Sequence, residues 1–287
     1  MNNLIFDVGS NQFKFTDACR ERWPDCNIIA IDPIYEIYQS YDTSKHNGKL
    51  TYLDKVVSDK NDNFETININ INETGMSTIS QHYMHNSRFA LGNRAIIKQY
   101  IDNAALMLKR DPSMVEKDGW HWLRGIDFTS VSVEGFTKSI ETQFGSMYAF
   151  LTRVHRYIER PSQTITIDRL IEIYGVPDLI KIDVEGYESN VIKGLTKRNK
   201  KLCFEWNEEM SEELFLCLKL LENLGYEKFG VLGYFEEGDI YEYLTYDSAG
   251  DTFLREPQYY LIEEIKSDLL RSINKYRRVN WGMVWAK

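Results

Sequence analysis

The chain has 287 residues, 43% of them apolar, and its 34 basic against 43 acidic side chains leave a formal net charge of −9. That length accommodates one large domain, or a domain carrying an insertion. The acidic balance, with a pI near 5.2, argues against a broad phosphate-binding face and leaves room only for a local basic patch, so no nucleic-acid partner is expected. No run of about eighteen apolar residues exists, which excludes a membrane-spanning helix. No basic segment followed by an apolar one opens the sequence, so no signal peptide is expected. Cys19, Cys26, Cys203 and Cys217 lack metal-type pair spacing and read as reduced thiols of a cytoplasmic protein. The 18 Tyr, 14 Phe and 6 Trp serve the core or hold flat ligands and sugars; composition leaves both readings open.

In chain order, Leu4–Val8 is apolar on both sides, as strands covered on both faces tend to be, and Gly9-Ser10-Asn11 follows as a turn. Phe13, Phe15, Ala18 and Cys19 predict a short helix stopped by Pro24, and Ile28–Asp32 a second strand closed by an acid and Pro33. Strand, glycine turn, helix and acid-terminated strand make a βαβ half-site for a nucleoside ligand. In such a site the turn brings backbone groups to the ligand, and Asp32 either accepts from ribose hydroxyls or caps the next turn. The G-x-G-x-x-G phosphate cradle is absent, since Gly9 is the only glycine in the loop, which weakens the case for a dinucleotide.

Ile34–Tyr41 is predicted as a helix, Leu50–Val57 as the third strand, and Asp59–Asp62 as a turn. Phe64, Ile67, Ile69 and Ile71 suggest a hairpin extending the sheet, with Thr74–Ser80 a polar loop. Residues 86–160 break the alternation of strand and helix. Helical spacing at Ile97, Ile101, Ala104 and Leu108, and again at Met147, Leu151, Val154 and Ile158, brackets a Gly- and Trp-rich segment at Asp118–Trp122. The expected organisation is therefore a core of 1–85 and 161–287 around an inserted subdomain over 86–160. After it come a short strand Thr164–Ile167, a short helix Asp168–Tyr174, and the stretch Asp178–Leu195, which reads as a buried strand feeding a helix. Asp183 and Glu185 stand at that strand end, where open α/β sheets bind ligands and where acids also cap helices. Leu202–Trp206 is the fifth core strand and carries Glu205; a helix over Leu214–Leu224, a sixth strand from Gly225, a helix near Ile262–Ile273 and a last strand at Trp281–Trp285 complete the reading.

Three segments together resemble the FkbM family of S-adenosylmethionine-dependent methyltransferases: Phe6–Asn11, Ile29–Pro33, and Thr166–Asp168 leading into Ile180-Lys-Ile-Asp-Val-Glu-Gly-Tyr-Glu188. The resemblance covers residues 1 to 85 and 161 to 206. It implies a class I methyltransferase, Rossmann-like α/β fold: a seven-stranded, mostly parallel sheet flanked by helices, its last strand antiparallel, here with a largely helical insertion. It implies that Asp7, Gly9, Ser10 and Asn11 hold the methionine part of S-adenosylmethionine, that Asp32 with Pro33 binds the ribose, that Ser58 and Asp59 border the adenine, and that Asp183 faces the methyl group and the acceptor. One departure is Phe13, where a small residue usually closes the first loop.

Methyl transfer needs a nucleophile aligned behind the methyl, and a sugar hydroxyl benefits from a base within hydrogen-bond reach. The candidates are Asp183, Glu185 and Glu205, with His82 and His85 as outsiders that also read as surface residues. Asp183 with Glu205 would also suit Mg²⁺, a hard cation that takes carboxylate oxygens. The expected function is an O-methyltransferase acting on a sugar, glycan or nucleotide sugar, sugar being the most frequent acceptor that the resemblance implies, with the inserted subdomain as the acceptor-binding cap. The alternatives are a catalytically inactive glycan-binding or scaffold protein, favoured if Phe13 blocks the cofactor loop, and a nicotinamide-dependent oxidoreductase, which would need the missing phosphate cradle.

Overall fold

A computed structural model describes residues 4–70, 74, 77–80, 157–207, 210–233, 242–243, 254, 257–276 and 281–287. The strands are β1 Leu4–Val8, β2 Asn27–Ile31, β3 Leu50–Leu53, β4 Val56–Val57, β5 Phe64–Asn70, β6 Tyr157–Ile165, β7 Leu179–Ile182, β8 Leu202–Asn207, β9 Lys228–Gly233, β10 Glu242–Tyr243, β11 Tyr260–Leu261 and β12 Trp281–Ala286. The described helices are α1 Lys14–Arg22, α2 Tyr35–Ser40, α3 Ile167–Tyr174, α4 Glu188–Lys193, α5 Ser211–Asn223 and α6 Ile262–Tyr276.

The near-continuous apolar strands sit at the centre of the main sheet, whose order is β10-β9-β12-β8-β7-β1-β2-β3, with β11 beside β9. β1 runs parallel to β2 and to β7, β7 parallel to β8, and β12 antiparallel to both β8 and β9. Alternate residues of the strands feed two cores. Phe6, Val8, Ile29, Ile180 and Phe204 pack with the apolar stripes of α3, α4, α5 and α6, while Ile5, Ile28, Leu179 and Trp285 pack with Phe15, Ala18 and Cys19 of α1. Burial of such side chains contributes about 1.5–3 kcal/mol each, and coverage of both faces explains why these strands show no polar alternation. The fold is Rossmann-like α/β, and no described helix is long and apolar enough to cross a membrane. All four cysteines are buried and free.

Four expectations need correction. Among the described residues the main sheet has nine strands, not seven, because the two-residue β10 and β11 add to the outer side of β9. The predicted third strand Leu50–Val57 divides: β3 stays in the main sheet and β4 leaves it for a separate three-stranded sheet of order β4-β6-β5. Phe64–Asn70 therefore does not extend the main sheet; it pairs antiparallel with β6 from Phe64↔Gln163 to Asn70↔Tyr157. Ile158, placed on a helix by its spacing, lies in that strand. Pro161 is accommodated there because β4 pairs only with Thr164 and Ile165, and a residue lacking N–H belongs on an edge. Residues 157–160 apart, the expected insertion over 86–160 lies outside the described residues.

Candidate functional site

The site is assembled where β1, β2, β7 and β8 end. The chain leaves β1 through Gly9 at φ +74, Asn11 at φ 38 and Phe13 at φ 62, three left-handed residues within five positions. Gly9 donates its N–H to the Ile31 carbonyl at 2.9 Å, and a Cβ on it would stand 1.7 Å from the Asp183 carbonyl oxygen. Only glycine lets this loop lie across the end of β7. Ser10 is buried, and its hydroxyl has no partner among the described residues, which is the condition of a group awaiting a ligand. The Asn11 side-chain oxygen accepts from Thr74 at 2.9 Å.

Asp32, just beyond β2, accepts from the Asn11 N–H at 2.9 Å on one carboxylate oxygen and from the Ile34 N–H at 2.8 Å on the other. Burial pushes its carboxyl up to about 6 against the pull of those two N–H groups. It both caps the turn after β2 and staples the first loop, and each oxygen keeps a second lone pair for a ligand hydroxyl. Pro33 is half-buried, and its carbonyl accepts from Arg160. Phe13 is fully buried and stacked on Tyr41 at 4.1 Å between ring centroids, with Tyr38 and Tyr52 at about 6 Å.

Asp7 has no exposed surface. It accepts from the Thr16 hydroxyl at 2.6 Å and lies 3.3 Å from the Lys181 ammonium, so it supports the loop from beneath. Lys181 also donates to the Gly9 carbonyl at 2.8 Å and sits 3.2 Å from Asp183. Burial works to lower its pKa, and the charges of Asp183 and Asp7 outweigh it and hold the ammonium above the ordinary lysine range.

Asp183, Glu185 and Glu205 come together, one carboxylate oxygen from each lying within 4.8 Å of the others. All three are half-buried. Burial first, then the charges of Asp183, Glu185 and Glu188, keep the Glu205 carboxyl well above the usual carboxylate range, and a hydrogen bond with Asp183 adds to this. Glu185 is left-handed at φ 53, followed by Gly186 at φ 88. Glu188 holds that turn, one of its oxygens accepting from the Val184 N–H at 3.1 Å and the Gly186 N–H at 3.2 Å. Burial pushes the Glu188 carboxyl up to about 8.

Ser58 follows β4 and is fully buried, its hydroxyl 3.2 Å from the Tyr187 hydroxyl and 3.3 Å from Asp59, which is exposed. Gly194 lets α4 approach it, since a Cβ there would meet the Ser58 carbonyl at 2.3 Å. His82 and His85 lie outside the described residues. Lys181, Thr16, Glu188 and Tyr187 were not singled out in the sequence. For Lys181 a signal existed: it and Asp7 are charges within apolar strands, and the register places them opposite one another.

The hard oxygens of the acidic trio fit a divalent cation, and the buried Ser10 hydroxyl and Asp32 carboxyl beside the first loop fit a nucleoside with a polar tail. In comparison with known proteins, the model of the methyltransferase FkbM domain matches residues 7–228. No curated protein and no solved structure matches.

Proposed function

Because the chain belongs to the FkbM methyltransferase family, which covers residues 7–228, we propose that it uses S-adenosylmethionine to methylate a hydroxyl of a sugar, glycan or nucleotide sugar. The observation that carries this reading is the meeting of the first loop with the acidic trio: Gly9 lies directly over Asp183, and Asp183 stands beside Glu185 and Glu205. The bound cofactor supplies an electrophilic methyl on a sulfonium. The loop Gly9-Ser10-Asn11 orients it, with Ser10 donating or accepting through a hydroxyl that has no partner among the described residues. Asp32 takes hydrogen bonds from the ribose, and Ser58 and Asp59 border the adenine.

Asp183, 3.2 Å from the Lys181 ammonium and beside Glu205, holds the acceptor hydroxyl and takes its proton as the new C–O bond forms and the C–S bond breaks. Alignment supplies much of the rate, since a bound pair avoids the entropy of a bimolecular encounter. Phe13 lends no weight to the scaffold reading, because its ring is packed away against Tyr41. A methyltransferase family likewise leaves the nicotinamide reading without support.

Calorimetry with S-adenosylmethionine and with NAD tests the cofactor; binding of the first alone is expected, and binding of neither would overturn the enzyme reading. Methyl incorporation from labelled cofactor into a panel of glycans and nucleotide sugars tests the acceptor. A second reading, that Mg²⁺ held by Asp183 and Glu205 positions the hydroxyl, is favoured by the 4.8 Å cluster. Full activity in excess EDTA would remove it.

A further inference from the structure

Lys181 is 5% exposed in a strand otherwise made of Leu and Ile. An ammonium in such a setting is tolerated only when opposite charge and acceptors surround it. The ammonium donates to the Gly9 carbonyl at 2.8 Å and forms ion pairs with Asp183 at 3.2 Å and Asp7 at 3.3 Å. These belong to different parts of the site. Gly9 opens the first loop, Asp183 ends β7 beside the acidic trio, and Asp7 lies in β1, where Thr16 joins it to α1 at 2.6 Å. Of the other staples of the loop, Gly9 N–H to Ile31 and Asn11 N–H to Asp32 run to the β2 side, and Thr74 donates to the Asn11 side chain. Lys181 ties the loop to β7.

We infer that Lys181 is a positioning residue of the transfer site, fixing the first loop and the Asp183 carboxylate to one another through its ammonium. The inference rests on the proposed reading of that loop as the seat of the cofactor and of Asp183 as the group facing the methyl. Without the ammonium, the Gly9 carbonyl and the Asp183 carboxylate share no donor among the described residues, and the Asp183 carboxylate is then held to the loop only through the backbone, where the Asp183 N–H donates to the Val8 carbonyl at 3.0 Å. Asp7 is then left as a buried unpaired charge, which is a matter of stability rather than of positioning.

The test separates these two effects. Affinity for S-adenosylmethionine is measured by calorimetry in the wild-type protein, Lys181→Met, Asp7→Asn and the double variant Asp7→Asn/Lys181→Met, with hydrogen exchange followed at the Gly9–Asn11 amides and, as reference, in α5. Where Lys181→Met does not fold, Asp7→Asn and the double variant carry the comparison, because neither leaves Asp7 charged and unpaired. The double variant is expected to bind roughly tenfold more weakly than Asp7→Asn at similar thermal stability, the loss of one charge-assisted hydrogen bond to the loop. Exchange at Gly9–Asn11 is expected to accelerate while α5 is unchanged, and Lys181→Arg is expected to recover part of the affinity. Equal affinity and equal loop exchange in Asp7→Asn and the double variant would overturn the role of Lys181. If the wild-type protein does not bind S-adenosylmethionine, the cofactor reading falls and takes the inference with it, a result told apart from the former by the wild type alone.

Discussion

Replacing Gly9 with alanine separates backbone strain from steric overlap, because the chain contains its own control. Gly9 and Gly48 both adopt φ +74. Among the described residues a Cβ on Gly48 meets nothing within 4 Å, whereas one on Gly9 stands 1.7 Å from the Asp183 carbonyl oxygen and 2.8 Å from its carbon. An unstrained carbon–oxygen contact is about 3.3 Å, so the loop must withdraw by about 1.5 Å. That movement pulls on the Gly9 N–H bond to Ile31 at 2.9 Å and the Lys181 bond to the Gly9 carbonyl at 2.8 Å. The left-handed conformation costs alanine about 1–2 kcal/mol at either position, and losing two hydrogen bonds adds about 2 kcal/mol at Gly9 alone. Gly9→Ala should therefore destabilise by about 3–4 kcal/mol and Gly48→Ala by about 1–2 kcal/mol, read from urea unfolding midpoints at a common slope. Calorimetry should show lost S-adenosylmethionine binding for the first and wild-type binding for the second. Equal stability losses in the two variants would refute the claim that the loop is pressed onto β7.

Asp32→Ala is expected to weaken S-adenosylmethionine binding by about 1–3 kcal/mol through lost hydrogen bonds, and unchanged affinity would leave Asp32 with the cap alone. Since burial raises its carboxyl to about 6, protonation should weaken cofactor binding as pH falls through about 6, and Asp32→Asn should show no such fall in a calorimetric pH series. Asp183→Asn should cut turnover by about 10²–10⁴-fold, the usual worth of a positioned base, with an unchanged circular dichroism spectrum; normal turnover would exclude it as base. Glu188, pushed up to about 8 from an ordinary 4.5, holds its proton more tightly folded than unfolded. Its contribution to stability is complete below about pH 4.5 and is lost as pH rises towards 8, by up to about 1.4 kcal/mol per pH unit. Chemical unfolding at pH 5.5 and 8.5 checks this, because Glu188→Gln should flatten the difference and an unaltered pH dependence would contradict it.

The strands that seat the site were legible because their sequences allow little else. Leu4–Val8, Ile28–Ile31 and Leu179–Ile182 are short apolar runs closed by breakers or acids, and they became three adjacent parallel strands. What local pattern did not carry was partnership. Val56 and Val57 follow Leu50–Leu53 almost without interruption, yet they pair with Thr164 and Ile165, a choice made by contacts over a hundred positions away. Tyr157–Ile165 contains Glu159, Arg160, Pro161, Ser162 and Gln163, so neither alternation nor an apolar run marks it as a strand. Within the site, the strand-end acids were legible by position. Lys181 was hidden because it interrupts an apolar run and its meaning depends on Asp7 across the sheet. The bulk of Phe13 read as an obstruction since sequence alone does not reveal Tyr41 as the surface that receives it.

The antiparallel strand β12 lies between β8 and β9, which are successive core strands in the chain and never touch as neighbours in the sheet. The matched family span ends at residue 228, before β12. A fragment cut there for expression would carry Glu205 on a strand with an open row of backbone donors and acceptors, and open edges of that kind recruit other chains. Soluble production of the acidic trio therefore depends on Trp281–Ala286, a segment that contributes no side chain to the trio itself.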